Sequence, residues 1–211
     1  SINRTLGEWI SQLLSAQILA GPYEREKAML TQPEIKLLHA QVNPHFLFNA
    51  LNTIKAVIRR DSEQASQLVQ YLSTIFRKNL KRPSEFVTLA DEIEHVNAYL
   101  QIEKARFQSR LQVNIAIPQE LSQQQLPAFT LQPIVENASK HGTSQLLDTG
   151  RVAISARREG QHLMLEIEDN AGLYQPVTNA SGLGMNLVDK RLRERFGDDY
   201  GISVACEPDS Y

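Results

Sequence analysis

Gln41-Val42-Asn43-Pro44-His45-Phe46-Leu47-Phe48-Asn49-Ala50-Leu51-Asn52 is the stretch around which this chain is organised. It sets one histidine at a helix start, directly after a proline and among apolar residues. Phe46, Leu47, Ala50, Leu51, Ile54 and Val57 recur at spacings of three and four, so the spacing predicts a helix that buries a broad face. His45 and Asn49 are four residues apart, a separation at which two helical side chains meet. A lone histidine in such a place is ordinarily a half-buried, satisfied side chain. The second half of the chain, which carries the pieces of a nucleotide site, changes that reading.

Upstream, Ile2, Leu6, Trp9, Leu13, Ala16 and Ala20 alternate spacings of four and three, a heptad seam of not quite three repeats that Gly21-Pro22 interrupts. Residues 1–32 therefore read as a signalling helix or coiled-coil connector. Thr31-Gln32-Pro33-Glu34 is a helix-start signal, and Ile35, Leu37, Leu38 and Val42 carry an apolar stripe towards His45. Pro44 places a break or kink just before it. Asp61-Ser62-Glu63 punctuates the run, and Ala65, Leu68, Val69, Leu72, Ile75, Phe76 and Leu80 resume it. Residues 33–86 thus read as a two-helix hairpin. Such a hairpin leaves its stripe uncovered, and pairing two copies into a four-helix bundle predicts a homodimer.

After Pro83 the pattern changes. Thr88-Leu89-Ala90-Asp91, followed by Glu92, is a capping signal that opens a helix through Phe107. Leu111, Val113, Ile115 and Ile117 then alternate with polar residues, a half-buried strand. Pro127 to His141 reads as a helix. Val152, Ile154 and Ala156, then Leu163, Leu165 and Ile167, form two further strands joined by a turn at Glu159-Gly160. Gly184 to Phe196 is helical, and Ile202, Val204 and Cys206 read as the start of another strand. Residues 87–211 therefore form a second, α+β layered domain with mostly antiparallel strands. Both ends of the chain read as cut: one is helical from residue 1, and the other stops at Tyr211 before its last strand finds a partner.

Composition narrows the function. A net charge of −2 with 42% hydrophobic and 22% charged residues is that of an ordinary globular protein. There is no basic block with interleaved aromatics, which argues against general nucleic-acid binding. The single cysteine, Cys206, excludes an internal disulfide and a cysteine-cluster metal site, and it fits a reducing cytoplasmic setting. No apolar run approaches the roughly 20 residues that span a bilayer.

Three stretches of the second domain suit a nucleotide. In Pro133-Ile134-Val135-Glu136-Asn137-Ala138-Ser139-Lys140-His141-Gly142, Asn137 offers an amide oxygen to a hard cation such as Mg²⁺, and Lys140 and His141 follow three and four residues on. At Glu168-Asp169-Asn170-Ala171-Gly172, a strand ends on a carboxylate that can accept a hydrogen bond from an exocyclic amino group such as adenine's. Ser181-Gly182-Leu183-Gly184-Met185-Asn186 is a Gly-rich loop running into a helix, where backbone N–H groups can cradle phosphates. Each alone is a helix surface, a turn or a loop. Together and in this order they make an ATP site, and an ATP site beside a helix-start histidine points to phosphoryl transfer onto His45.

These residues resemble the LytS-like sensor histidine kinases. The likeness is carried by Gln41 to Asn49, by Pro133 to Gly142, by Gly182-Leu183-Gly184-Met185-Asn186-Leu187 and by the segment Tyr99 to Phe107 that joins the two modules; it covers about residues 34 to 205. The resemblance implies a dimerising phosphoacceptor hairpin followed by a GHKL-type (Bergerat) α/β sandwich ATP-binding domain. It also implies a membrane-embedded sensor upstream, so that the chain would be the cytoplasmic portion of a bacterial inner-membrane protein. Phosphotransfer would run to an aspartate of a response regulator, often one with a LytTR DNA-binding domain.

By motif position, His45 would be the phosphoacceptor and Asn137 the Mg²⁺ ligand. Lys140 and His141 would lie near the phosphates and Asp169 on the adenine amino group. Gly172, Gly182, Leu183, Gly184 and Asn186 would line the nucleotide, behind a lid at residues 173–181. Asn49 stands beside the nucleophile, and Glu136 is a candidate proton acceptor, since Phe46 occupies the place where many histidine kinases carry an acid. Glycines typical of the family are absent at Ala171 and Leu173, and Gly172 is displaced by one, which implies a stiffer lid hinge and weaker nucleotide binding. Pro133 sits where hydrolytic members of the wider fold carry a water-activating glutamate. Two other functions remain in contention: an ATP-gated dimeric scaffold without transfer, and a GHKL-fold serine kinase. His39, His95 and His162 are weaker acceptors, the first without the Pro-His-Phe surround and the others read as solvated or packed polar residues.

Overall fold

A computed structural model describes residues 43–80, 85–144, 149–170 and 183–205, with backbone alone for 79–80, 141–144 and 183. The connector, the stripe from Ile35 to Val42, His39, the lid, Gly172 and Gly182 lie outside the described residues, as do the side chains of His141 and Leu183. The chain divides into two compact units, and Pro44–Tyr211 is the one described here.

Helix α1 (Pro44–Val57) opens with proline in its first position, where the missing N–H costs nothing and the fixed φ suits a helix. It turns at Asp61 into α2 (Ser62–Leu80). The Asp61 carboxylate accepts from Gln64 N at 2.8 Å and its carbonyl from Ala65 N, so the punctuation in the sequence is a helix cap. Ala50 on α1 and Ala65, Leu68, Leu72 and Ile75 on α2 are buried, the helical spacing read from the sequence. Part of their cover comes from within the chain: α1 and α2 both pack along α3 (Leu89–Phe107).

Thr88 caps α3 through a reciprocal box: its hydroxyl accepts from Asp91 N at 3.1 Å, and the Asp91 carboxylate accepts from Thr88 N at 3.3 Å. Nine of the helix's residues are buried because it lies between the hairpin and a sheet. The sheet has three strands in the order β2 (Leu111–Ala116), β4 (Gly150–Glu159), β5 (His162–Asp169). Gly160, at φ 59°, makes the tight turn between the last two. Two short strands, β1 (Phe86–Thr88) and β3 (Gln125–Pro127), pair antiparallel apart from this sheet. Helices α4 (Leu131–Ser144) and α5 (Leu183–Phe196) complete the layer on the sheet. Val135 and Ala138 of α4 are buried with Val152 and Ile154 of β4 in one core.

Two expectations are corrected and one is refined. Two of the three strand pairings are antiparallel, as expected, but β2 runs parallel to β4, with α4 in the connection between them. The helix expected from Pro127 begins at Leu131, since Gln125–Pro127 pairs with β1 and Phe129 adopts φ 58°. Ile202–Ala205 is not a strand. The Ile202 N–H is taken by the Asp189 carboxylate at 2.8 Å after a turn at Gly201 (φ 144°), so this backbone leaves α5 without joining the sheet. The α+β class stands, with helices on a mixed sheet.

Candidate phosphoacceptor and nucleotide site

His45 lies in the first turn of α1, exposed, with the Asn49 amide 3.2 Å from Nδ1 and 3.4 Å from Nε2. The Asn49 atom that approaches the ring is Nδ2, a donor, so it donates to the ring nitrogen that carries the lone pair and leaves the proton on the other. Phe46 turns inward, its ring centroid 5.0 Å from that of Tyr99 on α3. Thr53 ties to the Asn49 carbonyl at 2.9 Å, a local bond along the same helix. Beside α1 lies an open cleft of about 730 Å³ against α2 and the end of α3; Asn49, Arg60, Lys104 and Arg106 line it, and among the described residues none of its lining is acidic.

The residues expected to hold nucleotide fall on α4, β5 and α5. Asn137 is half-buried on the side of α4 that meets α5, with its Nδ2 3.9 Å from Met185 Sδ. Lys140 is exposed and 3.8 Å from Glu136, which also accepts from Gln132 at 2.8 Å. Gly184 of α5 lies close against α4: an added Cβ would stand 3.1 Å from Pro133 Cβ. That close approach is a backbone requirement of the glycine loop's exit. Asp169 ends β5, exposed, opposite Val152, and Asn186 is exposed in the first turn of α5. Among the described residues no cluster of His, Cys, Asp and Glu holds a metal by itself. A single amide oxygen from Asn137 fits Mg²⁺, which is typically held by one or two protein oxygens together with phosphates and water.

Two groups that the sequence reading passed over position these elements. Glu92, buried on α3, accepts from Phe129 N at 2.7 Å and Leu131 N at 2.9 Å, so it caps the start of α4 from another helix. Burial raises its pKa, against the lowering effect of those backbone donors. Glu103 is buried on the same helix, 3.4 Å from Arg106, and burial again raises its pKa while Arg106 opposes the rise. Glu92 could not be recognised from spacing, because its partners lie more than thirty positions away; Glu103 and Arg106 stand three apart on α3, and what spacing does not reveal is the burial of Glu103. Of the other histidines, His95 is buried against Phe129 and His162 is exposed on β5 near Tyr200.

Residues 33–111 match a family model described as histidine kinase. The chain is 97% identical over all 211 of its residues to the sensor histidine kinase BtsS of Escherichia coli K12, of which it spans 38%. It is 34% identical over 98% of its length to the sensor protein LytS of Bacillus subtilis, of which it spans 37%, and equally similar to that of Staphylococcus epidermidis. It thus spans little more than a third of the curated relatives it matches. Among the described residues no helix is long and apolar enough to cross a membrane. The family model thus matches across the His45 helix, and over nearly its whole length the chain is similar to about a third of the length of these sensor histidine kinases of the LytS type.

Proposed function

We propose that the chain is the kinase part of a two-component sensor, using ATP to phosphorylate His45 and passing the phosphoryl group to an aspartate of a response regulator. The observation that carries this reading is the exposed His45 ring, paired with Asn49, at the start of the helix that the histidine-kinase family model covers. A lone-pair nitrogen of the neutral imidazole attacks the γ-phosphorus in line; an N–P bond forms as the bond from phosphorus to the ADP oxygen breaks. Asn49, donating to the lone-pair nitrogen before ATP arrives, keeps the proton on the ring's other nitrogen, and Glu136 would take that proton once phosphorylation makes the ring cationic. Mg²⁺, held through Asn137, supplies charge compensation on the phosphates. Lys140 adds a second positive charge on the same helix, and Asp169 would select adenine through its amino group.

The finer fold reading, a GHKL-type sandwich with three segments at 1–32, 33–86 and 87–211, belongs to this proposal and is supported by helices layered on the mixed sheet. So do His141, Gly172, Gly182, Leu183, Gly184 and Asn186 as nucleotide contacts and Glu136 as proton acceptor. A homodimer is supported by the apolar side chains that the hairpin leaves in solvent, Phe48 on α1 and Ile58 just after it, which are 67% and 56% exposed. The cleft with three cations and no acid suits an acidic receiver domain, of a LytTR regulator or another. Anchoring through an upstream membrane sensor follows from the family.

The test is incubation with γ-labelled ATP and Mg²⁺ beside His45→Ala. Acid-labile, alkali-stable label that disappears in His45→Ala is the expected result. Acid-stable label independent of His45 overturns the reading in favour of serine chemistry, and ATP binding without label favours a scaffold.

A further inference from the structure

The turn that carries His45 has a seat. Phe46, the next residue, lies against Tyr99 with the two rings tilted by 33°. Tyr99 is buried in the middle of α3, in one core with Val135 and Ala138 of α4, the helix that carries Asn137. The phosphoacceptor turn and the long helix α3 therefore meet at one aromatic pair, and α3 packs on the helix bearing the Mg²⁺ ligand. Close by, Lys78 at the end of α2 bonds Glu94 at 2.5 Å and the Asp91 carbonyl at 2.7 Å, which fixes the neighbouring end of the hairpin on α3. Neither ring carries a group that phosphoryl transfer uses. What the pair determines is where His45 stands relative to α4, and a misplacement of about 1 Å costs roughly 100-fold in rate.

We propose that Tyr99 is a positioning residue for the phosphorylation of His45: its ring seats Phe46 and so fixes the phosphoacceptor turn on α3, which packs on the helix bearing Asn137. This rests on the kinase reading above. Tyr99 touches neither nucleotide nor the reacting nitrogen. Its loss should therefore slow the chemical step and leave nucleotide binding intact, whereas a residue that merely supports the fold would lose both together.

The experiment compares the full chain with Tyr99→Leu, Tyr99→Phe and Phe46→Leu. It measures the initial rate of acid-labile labelling at saturating Mg-ATP and, separately, the Kd for ATP by calorimetry. Tyr99→Leu and Phe46→Leu should each lower the rate about tenfold or more while the Kd stays within about twofold. Tyr99→Phe, which keeps the ring, should recover most of that rate. Phe46→Leu lies on a half-buried helix face and keeps the test open should Tyr99→Leu unfold. A rate that is unchanged or raised in Phe46→Leu overturns the proposal, as does a fall in rate matched by lost ATP binding. Absence of label in the unaltered chain overturns the kinase reading, and this inference with it; label that the substitutions leave untouched overturns this inference alone.

Discussion

His95 shows how much a single buried group can matter to this fold. It is 4% exposed between α2, α3 and the start of α4, with Gln132 as a hydrogen-bonding neighbour and Lys78 and Glu94 as the nearest charges. Burial, helped by Lys78, lowers its pKa from 6.5 to about 4. The folded chain therefore refuses a proton that the unfolded chain accepts. That contribution to stability is complete above pH 6.5, falls as the pH drops, and levels off below about 4. The full difference amounts to about 3 kcal/mol. Glu92 and Glu103, whose raised pKa values work in the opposite direction, share part of this range. The discriminating measurement is a comparison of urea midpoints against pH for the unaltered chain and for His95→Gln. The substituted protein should show a flatter decline between pH 6.5 and 4, and parallel curves would count against the buried neutral histidine. The sequence offered His95 only as a solvated or packed polar residue, and spacing alone does not separate the two, because its cover comes from Phe129, more than thirty positions away.

At the scale of elements, the start of α4 matters most, since α4 carries Asn137. Its first N–H groups are capped by Glu92 from α3, across 37 and 39 positions of sequence. Removing that carboxylate in Glu92→Ala leaves two inward donors unsatisfied and should cost roughly 2–4 kcal/mol, with Glu92→Gln costing less because one acceptor remains. Thermal unfolding measures the cost. ATP titration of Glu92→Ala should show weaker binding if the cap also holds Asn137 in place; unchanged affinity would limit Glu92 to stability. The contrast with α3 explains what the sequence makes legible. Thr88 and Asp91 cap α3 from three residues apart, and a local rule finds them. Glu92 has the same chemistry, but nothing local announces a partner so distant. The same holds for β1 and β3, three residues each, too short to show a period. Alternation in β2, β4 and β5 reveals that they are strands but not their direction, so the parallel β2–β4 pair becomes visible only once α4 is seen to cross over. The sequence marks His45, Asn49, Asn137 and Asp169 by motif; it does not mark Tyr99, because the role proposed for it lies in one contact with Phe46, more than fifty positions away.

At the scale of the molecule, the hairpin and the sheet layer share one core. Leu68, Leu72 and Ile75 of α2 are buried together with Leu89, Val96 and Leu100 of α3, and α3 in turn packs on β2 and α4. The hairpin's stripe therefore does not wait for a second copy to be covered in part; among its described residues Phe48 and Ile58 stay exposed, and they are the surface that the proposed dimer would cover. If that is right, α1–α2 and the sheet should unfold as one unit and not as two modules on a hinge. Leu72→Ala, at a site 3% exposed, should destabilise by about 2–5 kcal/mol and shift the unfolding of both parts equally. Hydrogen exchange followed by mass spectrometry distinguishes the two cases. Under a shared core, amides of α2 and of β4 lose protection together in Leu72→Ala. Loss confined to α1 and α2, with β4 unchanged, would show a hairpin that comes off α3 by itself, and it would make the Phe46–Tyr99 seat a contact formed and broken within the folded protein.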